Sequence, residues 1–258
     1  MKEGINFKNI LVGIVRITAI ITVIAFAFTA CPGDGGSGGG SQTTSSCNAH
    51  NWGWATYTSG SGLRECRNSG CTVTAGVGDR GPAGGVIFIA RAISITLLAD
   101  SPLSDKQVNY YEAWTVNETA SIWGDSGTQI SGLSGGGLPP TALGSGLRDT
   151  QRIVANMAGK SITDTAAQRA RAVSGTGTTP GTRGGYNDWF LPDFAELNEL
   201  WKLWDSKGRG SYENLSTGNY ISSSQVGLTG AWALTFSTGY RGDLSKNTAA
   251  NVRAVRAF

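Results

Sequence analysis

The residues best able to bind a metal or form cross-links lie in one short stretch of this sequence. Cys47, His50, Cys66 and Cys71 fall close together, and His50 is the only histidine of the chain. Thiolate and imidazole are ligands that zinc prefers, and the Cys47-x2-His50 and Cys66-x4-Cys71 spacings loosely resemble a Cys3His site. In an exported chain the same cysteines could instead form one disulfide and leave one thiol free. A metal, a disulfide or neither all stay open from the sequence, although so short a module has too little core to fold without a cross-link.

The rest of the chain has little catalytic chemistry. Residues 72–258 contain no histidine and no cysteine, which excludes Ser-His-Asp and Cys-His catalysis there. Asp188, Asp193 and Glu196 are close in sequence, but the turn and the helix start around them predict structural roles. The Leu138–Thr141 loop lacks the carboxylate and amide pair of a calcium-dependent sugar site. We therefore expect no enzyme and no cofactor, and zinc in the cysteine-rich stretch stays an open alternative to a disulfide.

The N-terminus has the pattern of an export signal. Two lysines precede an apolar run from Ile17 to Phe28, which is shorter than the roughly twenty residues of a membrane-spanning helix. The run leads to a Phe-Thr-Ala-Cys sequence that resembles a lipobox. We expect residues 1–30 to be a lipoprotein signal peptide and Cys31 to be acylated. A plain membrane anchor is the alternative. Residues 31–46 are rich in glycine and serine, which is typical of a flexible tether.

Charge and composition exclude some classes of partner. The net charge is +3, and residues 1–30 carry three positive charges and one negative, so cleavage would leave +1. A nearly neutral protein lacks the basic footprint that nucleic acid requires. Charged residues make up 15% of the chain, against about 25% in an average soluble domain, and glycine is abundant. This composition favours a loop-rich surface domain.

One stretch near the middle of the second half predicts a strand followed by a helix. Trp189–Leu191 is an apolar run that Pro192 ends, and Asp193 with Glu196 three residues later forms a capping box. Four apolar side chains then recur at helical spacing, and they need a sheet or a helix to cover them: Leu197, Leu200, Trp201 and Trp204.

Shorter patterns place the remaining elements. Strands are predicted over Gly85–Ala90, Tyr110–Val116, Ala120–Trp123, Tyr220–Ser224, Ala231–Phe236 and Val252–Phe258. Helices are predicted over Thr150–Ala158 and from Asp164 to about Val173. This order predicts an α+β domain over residues 77–258 with two to three helices, long loops and paired N- and C-terminal strands. A small Cys/Trp-rich module over residues 47–76 precedes it.

Three motifs in this domain resemble those of a known family. They are the VGDRGPAGGVIF sequence at 77–88, the DWFLPDFAELNEL sequence at 188–200 and the closing segment from Tyr220 to Phe258. In this order they resemble the Lcl C-terminal-like domain, a bacterial lipoprotein domain of poorly known function. The resemblance implies a fold related to C-type lectins and formylglycine-generating enzymes. Ile221 departs from the family's usual tryptophan, and Ala92–Asp100 has no match.

The closing segment also resembles the variable region of proteins diversified by retroelements, which display mutable residues on a C-type lectin scaffold. On alternating strand geometry we expect Trp232, Leu234 and Phe236 to face the core. The candidate ligand-binding residues are then Gln225, Val226, Leu228, Thr229, Tyr240, Arg241, Asp243 and Leu244. Tyrosine and arginine dominate binding hot spots, which favours Tyr240 and Arg241 as the main contacts.

Together these patterns predict a membrane-anchored lipoprotein of the outer membrane or cell surface. Its domain would bind a protein or glycan ligand, or display variable residues. The namesake adhesin of the family suggests glycosaminoglycans, but the near-neutral charge weakens that expectation. The alternatives are a structural envelope lipoprotein without a specific ligand and, third, an enzyme of the formylglycine-generating group. The missing cysteines and histidine of the domain disfavour the enzyme.

Overall fold

A computed structural model describes residues 50–68, 71, 73–172, 177–210 and 212–258. The described residues belong to the compact unit that spans 45–258. The predicted signal peptide, the tether, Cys31 and Cys47 lie outside them. Helices and strands are mixed along the chain, which confirms the predicted α+β class.

The strands in chain order are β1 (Val86–Leu97), β2 (Lys106–Ala113), β3 (Glu118–Ser121), β4 (Asn219–Val226), β5 (Gly230–Thr235), β6 (Tyr240–Ser245), β7 (Ala250–Val252) and β8 (Val255–Ala257). The helices are α1 (Gly146–Met157), α2 (Ala166–Ala170) and α3 (Phe194–Ser206). Two single-turn 3-10 helices cover Trp54–Thr56 and Tyr212–Asn214.

These strands form two sheets that the C-terminal segment connects. The smaller sheet has the order β1-β2-β8, and the larger has the order β3-β7-β4-β5-β6. β8 runs antiparallel to β2, with Tyr111 opposite Ala257, so the C-terminal strand joins the sheet of the first two strands beside β2 and not beside β1. Only Arg253 and Ala254 separate β7 from β8, so one short stretch of chain passes from the larger sheet to the smaller.

The N-terminus of α3 has the predicted capping box. Asp193 Oδ1 accepts a hydrogen bond of 2.8 Å from the Glu196 backbone N–H. Glu196 Oε2 accepts one of 2.8 Å from the Asp193 backbone N–H. Leu197, Leu200 and Trp204 are fully buried beyond it, as their spacing predicts. Trp201 is only half-buried, and its indole N–H donates to the Phe236 carbonyl at 3.0 Å.

The larger sheet is covered on both faces. Leu234 and Phe236 of this sheet pack with α3 and the smaller sheet in one apolar cluster. Ala231 and Ala233 point the other way and pack with α1 and α2 in a second cluster. Both sides of β5 therefore carry buried residues. Trp232 lies on the predicted inner side but is half-buried.

Several element boundaries differ from the sequence predictions, among them those of β1, α1 and α2. β1 continues past Ala90 to Leu97, because β2 pairs with it along that length through two register shifts. α1 begins at Gly146, four residues early. Thr165 caps α2 with Gln168 in a capping box, whereas Asp164 adopts φ of +59° before it.

The cysteine-rich stretch packs onto the smaller sheet. Trp52 and Cys66 share a buried cluster with Ile87 of β1, Tyr110 of β2 and the C-terminal Phe258. The Phe258 ring stacks on Tyr110 with centroids 5.3 Å apart. The stretch therefore covers apolar surface that the end of the chain would otherwise expose.

The two tryptophans of α3 should differ in their contribution to stability. Trp204→Ala should lower the free energy of unfolding by about 3–5 kcal/mol, because the ring is fully buried. Trp201→Ala should cost roughly 2 kcal/mol, since its ring is half-buried and makes one hydrogen bond. Urea unfolding of both variants measures the difference, and an equal or reversed order would contradict this packing.

Candidate functional site

A cleft of about 350 Å³ lies beside the start of α3. Its walls come from four parts of the chain that are distant in sequence. α3 contributes Asn198, Glu199 and Lys202, and the strands contribute Arg91 and Arg241. The fourth part is the loop before α1, which contributes residues 139–141 and 143. The fold thus brings Arg241, a candidate ligand-binding residue from the sequence, to the same cleft as this loop.

The charged groups of the cleft are unevenly matched. Glu199 is the one carboxylate among the lining residues, and it contacts Lys202 at 2.5 Å and Arg91 at 3.6 Å. The Arg241 guanidinium instead donates to the neutral Asn198 side chain at 2.9 Å. Three cations face one carboxylate, so the cleft carries excess positive charge and favours an anionic group.

Apolar side chains complete the cleft. Pro139, Pro140 and Leu143 line it from the loop, and Phe194 lines it from the first turn of α3. The Phe194 ring lies 5.6 Å from the Trp232 ring beneath it in the apolar core. Leu138, next to the first proline, is 81% exposed. A ligand here would meet apolar surface beside positive charge.

Buried carboxylates fix the position of α3 against the loop. Asp193 Oδ2 accepts hydrogen bonds from the Ser145 N–H at 3.0 Å and from its hydroxyl at 2.7 Å. Glu196 Oε1 accepts one of 3.1 Å from the Gly144 N–H. The position of Gly146 admits no larger residue, because a Cβ there would lie 2.2 Å from Glu196 Oε2. The cleft is thus built on a rigid support.

Burial also changes how these acids ionise. It raises the pKa of Asp193 to about 6, although hydrogen bonds from Glu196 and Ser145 oppose the change. Burial and the neighbouring Asp193 raise the pKa of Glu196 well above its ordinary value. We infer that at neutral pH the pair keeps one proton, because two adjacent buried carboxylates cannot both ionise at low cost.

The first group of predicted ligand-binding residues lies at the β4–β5 turn. Gln225 is buried there, not exposed: its side chain donates to the Ile130 carbonyl at 2.5 Å and accepts from the Ile130 N–H at 3.2 Å. Val226 is half-buried at the end of β4, while Leu228 and Thr229 are exposed in the turn. Only the last two are free to meet a partner.

The second group lies on β6 and not in a loop. Tyr240, Arg241, Asp243 and Leu244 belong to this strand, which forms the edge of the larger sheet. Tyr240 is 69% exposed. Tyr240, Asp243 and Leu244 line a smaller pocket of about 110 Å³, whereas Arg241 lines the larger cleft. The register pairs Thr235 with Tyr240 and Gly230 with Ser245, so Tyr240 and the β4–β5 turn lie at opposite ends of the β5–β6 hairpin.

Four residues of the cleft were not predicted: Arg91, Asn198, Glu199 and Lys202. Three of them lie on the polar side of α3. They could not be singled out, because any solvated helix face has the same pattern of polar residues. Asn198 and Lys202 are four residues apart, which places them on one face of a helix. This spacing was the only feature of the sequence that could have indicated the cleft. Arg91 lies in β1 immediately before Ala92–Asp100, the part of the strand without a recognisable motif.

Asp188 and three of the predicted disulfide or metal residues do not line the cleft. Asp188 pairs with Arg256 at 2.8 Å, which is a structural role. Of the predicted disulfide or metal residues, the fold brings His50, Cys66 and Cys71 together, with one donor atom of each within 4.8 Å of the others. Cys47 and the predicted acylation site Cys31 lie outside the described residues.

The chain matches no model of a known protein family and no curated protein. Within the described ranges, no helix is both long and apolar enough to cross a membrane. The contacts of the cleft and the resemblance of the three sequence motifs are therefore the basis for the function proposed below.

The buried acids give a prediction for pH. A carboxyl whose pKa is raised on folding stabilises the protein most below its unfolded pKa, and this contribution is lost as pH rises through the folded value. For Asp193 that window runs from about 4 to about 6. We expect Glu196→Gln to flatten the fall in unfolding free energy between pH 4.5 and 7, because one of the two titrating groups is removed.

Glu199→Gln is the matched control, since it makes the same change three residues further along α3, where the side chain is only half-buried. Urea unfolding across this pH range gives the unfolding free energy of the wild type, Glu196→Gln and Glu199→Gln. The same slope in the wild type and in Glu196→Gln would show that the buried pair does not share a proton.

Proposed function

We propose that this chain is a membrane-anchored lipoprotein whose lectin-like domain binds a protein or glycan ligand. The domain contacts an acidic group of that ligand. The cleft beside α3 is the binding site. Its three cations against one carboxylate, next to a proline-rich apolar wall, are the observation that carries the proposal. The resemblance to the Lcl C-terminal-like domain supports a role outside the cell.

The arrangement of charge supports an anionic ligand. Arg241 is exposed, and its contact with Asn198 involves no opposite charge, so its guanidinium can pair with a carboxylate or sulfate. Lys202 and Arg91 share one carboxylate and are each about half exposed. The near-neutral charge of the whole chain does not oppose this proposal, because the positive charge is local.

The apolar wall supports a ligand with a flat apolar face, such as a sugar ring or a side chain. Pro139 and Pro140 are conformationally restricted, so their surface can be covered at little cost in entropy. The loop that carries them is fixed to α3 through Gly144 and Ser145. The site is therefore largely formed before a ligand arrives.

The exposed residues of β6 favour display of variable side chains as a second function. Tyr240 and Arg241 project from a strand whose backbone pairs with β5 on one side. Substitutions at such positions change the surface and leave the pairing intact. Sibling sequences that differ mainly within 225–245 would support this function, whereas an even spread of differences would contradict it.

Charge reversal tests the cleft. Arg241→Glu and Lys202→Glu should each weaken binding of an acidic ligand on the order of tenfold or more, since a charge-assisted hydrogen bond contributes about 1.5–3 kcal/mol. The measurement is binding to an array of acidic and neutral glycans and to candidate proteins, followed by titration calorimetry. Lys106→Glu is the control, because it changes the charge equally on the exposed start of β2.

The double variant Tyr240→Ala with Arg241→Ala should abolish binding and leave the thermal midpoint nearly unchanged. If it unfolds the domain, the two residues are structural. If Lys106→Glu weakens binding as much as Arg241→Glu, the effect is one of net charge and the cleft is not the site.

The membrane anchor is tested at Cys31. The wild-type chain should be cleaved before Cys31, carry fatty acid and partition into detergent. Cys31→Ala should remain unprocessed, because the processed cysteine is the acceptor of the lipid. Cleavage of Cys31→Ala at the same bond, with the product still in the membrane fraction, would overturn the lipoprotein proposal.

A further inference from the structure

Three metal-ligating side chains meet where the cysteine-rich stretch folds back on itself. Cys66, Cys71 and His50 each place one donor atom within 4.8 Å of the other two. Cys71 Sγ lies 3.6 Å from His50 Nδ1. A tetrahedral zinc ion with bonds of about 2.3 Å to sulfur and 2.0–2.1 Å to nitrogen holds two such atoms about 3.6 Å apart. The separation therefore fits two ligands on one ion, and in the absence of an ion it is also that of a hydrogen bond between the two side chains.

A short hairpin positions the two cysteines. Glu65 and Thr74 form an antiparallel bridge, and the Cys66 N–H donates to the Val73 carbonyl at 3.0 Å. The Cys71 N–H donates to the Asn68 carbonyl at 3.0 Å. Both thiols are free, Cys66 is buried and Cys71 is half-buried. Backbone hydrogen bonds thus fix both sulfur-bearing residues.

Separate contacts bring the histidine to the hairpin. The Arg67 N–H donates to the Asn51 carbonyl at 2.8 Å, which ties the residue after His50 to the residue after Cys66. The His50 ring stacks on Trp52 with centroids 4.7 Å apart and planes inclined by 26°. Arg64 donates to the Trp52 carbonyl at 2.5 Å, so Trp52 is itself held in place. The imidazole is therefore oriented toward the sulfurs before any ion binds.

We propose that His50, Cys66 and Cys71 bind one zinc ion. Two thiolates and an imidazole are soft and borderline ligands, which favour zinc over magnesium or calcium. On binding, each S–H proton leaves to solvent and a zinc–sulfur bond replaces it, so two thiolates balance the charge of the ion.

The ion would hold the N-terminal stretch on the domain. Cys66 and Trp52 pack against Ile87, Tyr110 and Phe258. One proposed ligand therefore belongs to the core that joins this stretch to the domain. A stretch of this size has little core of its own, and a structural zinc ion supplies the missing stability. The site is distinct from the cleft beside α3, since the two have no lining residue in common.

Metal content of the full chain is the first test. The wild type, purified without chelator or reductant, should contain about one equivalent of zinc by mass spectrometry of the metal. His50→Ala, Cys66→Ser and Cys71→Ser should each fall below about a tenth of an equivalent. Glu65→Gln is the matched control, because it changes an exposed side chain of the same hairpin that is not in the cluster, and it should retain the ion.

Cobalt substitution and alkylation test the site without relying on the folding of any variant. The chelator-treated wild type should take up Co²⁺ with thiolate-to-cobalt absorption in the near ultraviolet and tetrahedral bands in the visible. Cys66 and Cys71 should resist alkylation until a chelator is added. Absence of both zinc and cobalt binding would overturn the proposal, and so would a disulfide among Cys47, Cys66 and Cys71 in the unreduced protein.

Discussion

The buried Glu112 carboxylate is the constraint on which the arrangement of the domain depends. It accepts hydrogen bonds from the Ala83 and Gly85 N–H groups and from Arg256 at 2.7 Å. Arg256 also pairs with Asp188 in the turn before α3. A buried carboxylate that lost these partners would destabilise the fold by several kcal/mol. One side chain therefore requires the glycine-rich turn, the C-terminal strand and the turn before α3 to be in place together.

This constraint explains part of the motif at 77–88 in physical terms. A Cβ at Gly81 would lie 2.4 Å from Glu112 Oε2, and one at Gly85 would lie 2.5 Å from the Ala113 carbonyl. The glycines allow the backbone to approach the carboxylate, and no phosphate or other ligand is needed to account for them. A second buried pair, Asp193 with Glu196, has the same function at the cleft, where it fixes α3 to the loop before α1.

Local patterns predicted part of the fold, and the rest depends on tertiary contacts. The capping box of α3 and its buried leucines follow from spacing within one helix. The burial of Ala231 and Ala233 does not, because small residues leave no hydrophobic alternation and α1 and α2 cover them from elsewhere in the chain. Gln225 is the clearest case among the candidate site residues. Its side-chain amide forms hydrogen bonds with Ile130, which is 95 residues away in sequence.

The hairpin that carries Tyr240 and Arg241 is held at both ends, which bears on how much change its surface tolerates. At one end, Lys246 is buried and donates to the Thr128 and Gly227 carbonyls at 2.7 and 3.2 Å, and burial lowers its pKa to about 8. At the other end, the Trp201 ring packs so closely that a Cβ on Gly239 would lie 2.5 Å from it. Leu244 packs against the second apolar cluster, but the exposed side chains of β6, such as Tyr240 and Asp243, project from a backbone that they do not support. Substituting them should therefore cost little stability, and the same rigidity that fixes Arg241 in the cleft lets neighbouring exposed positions vary.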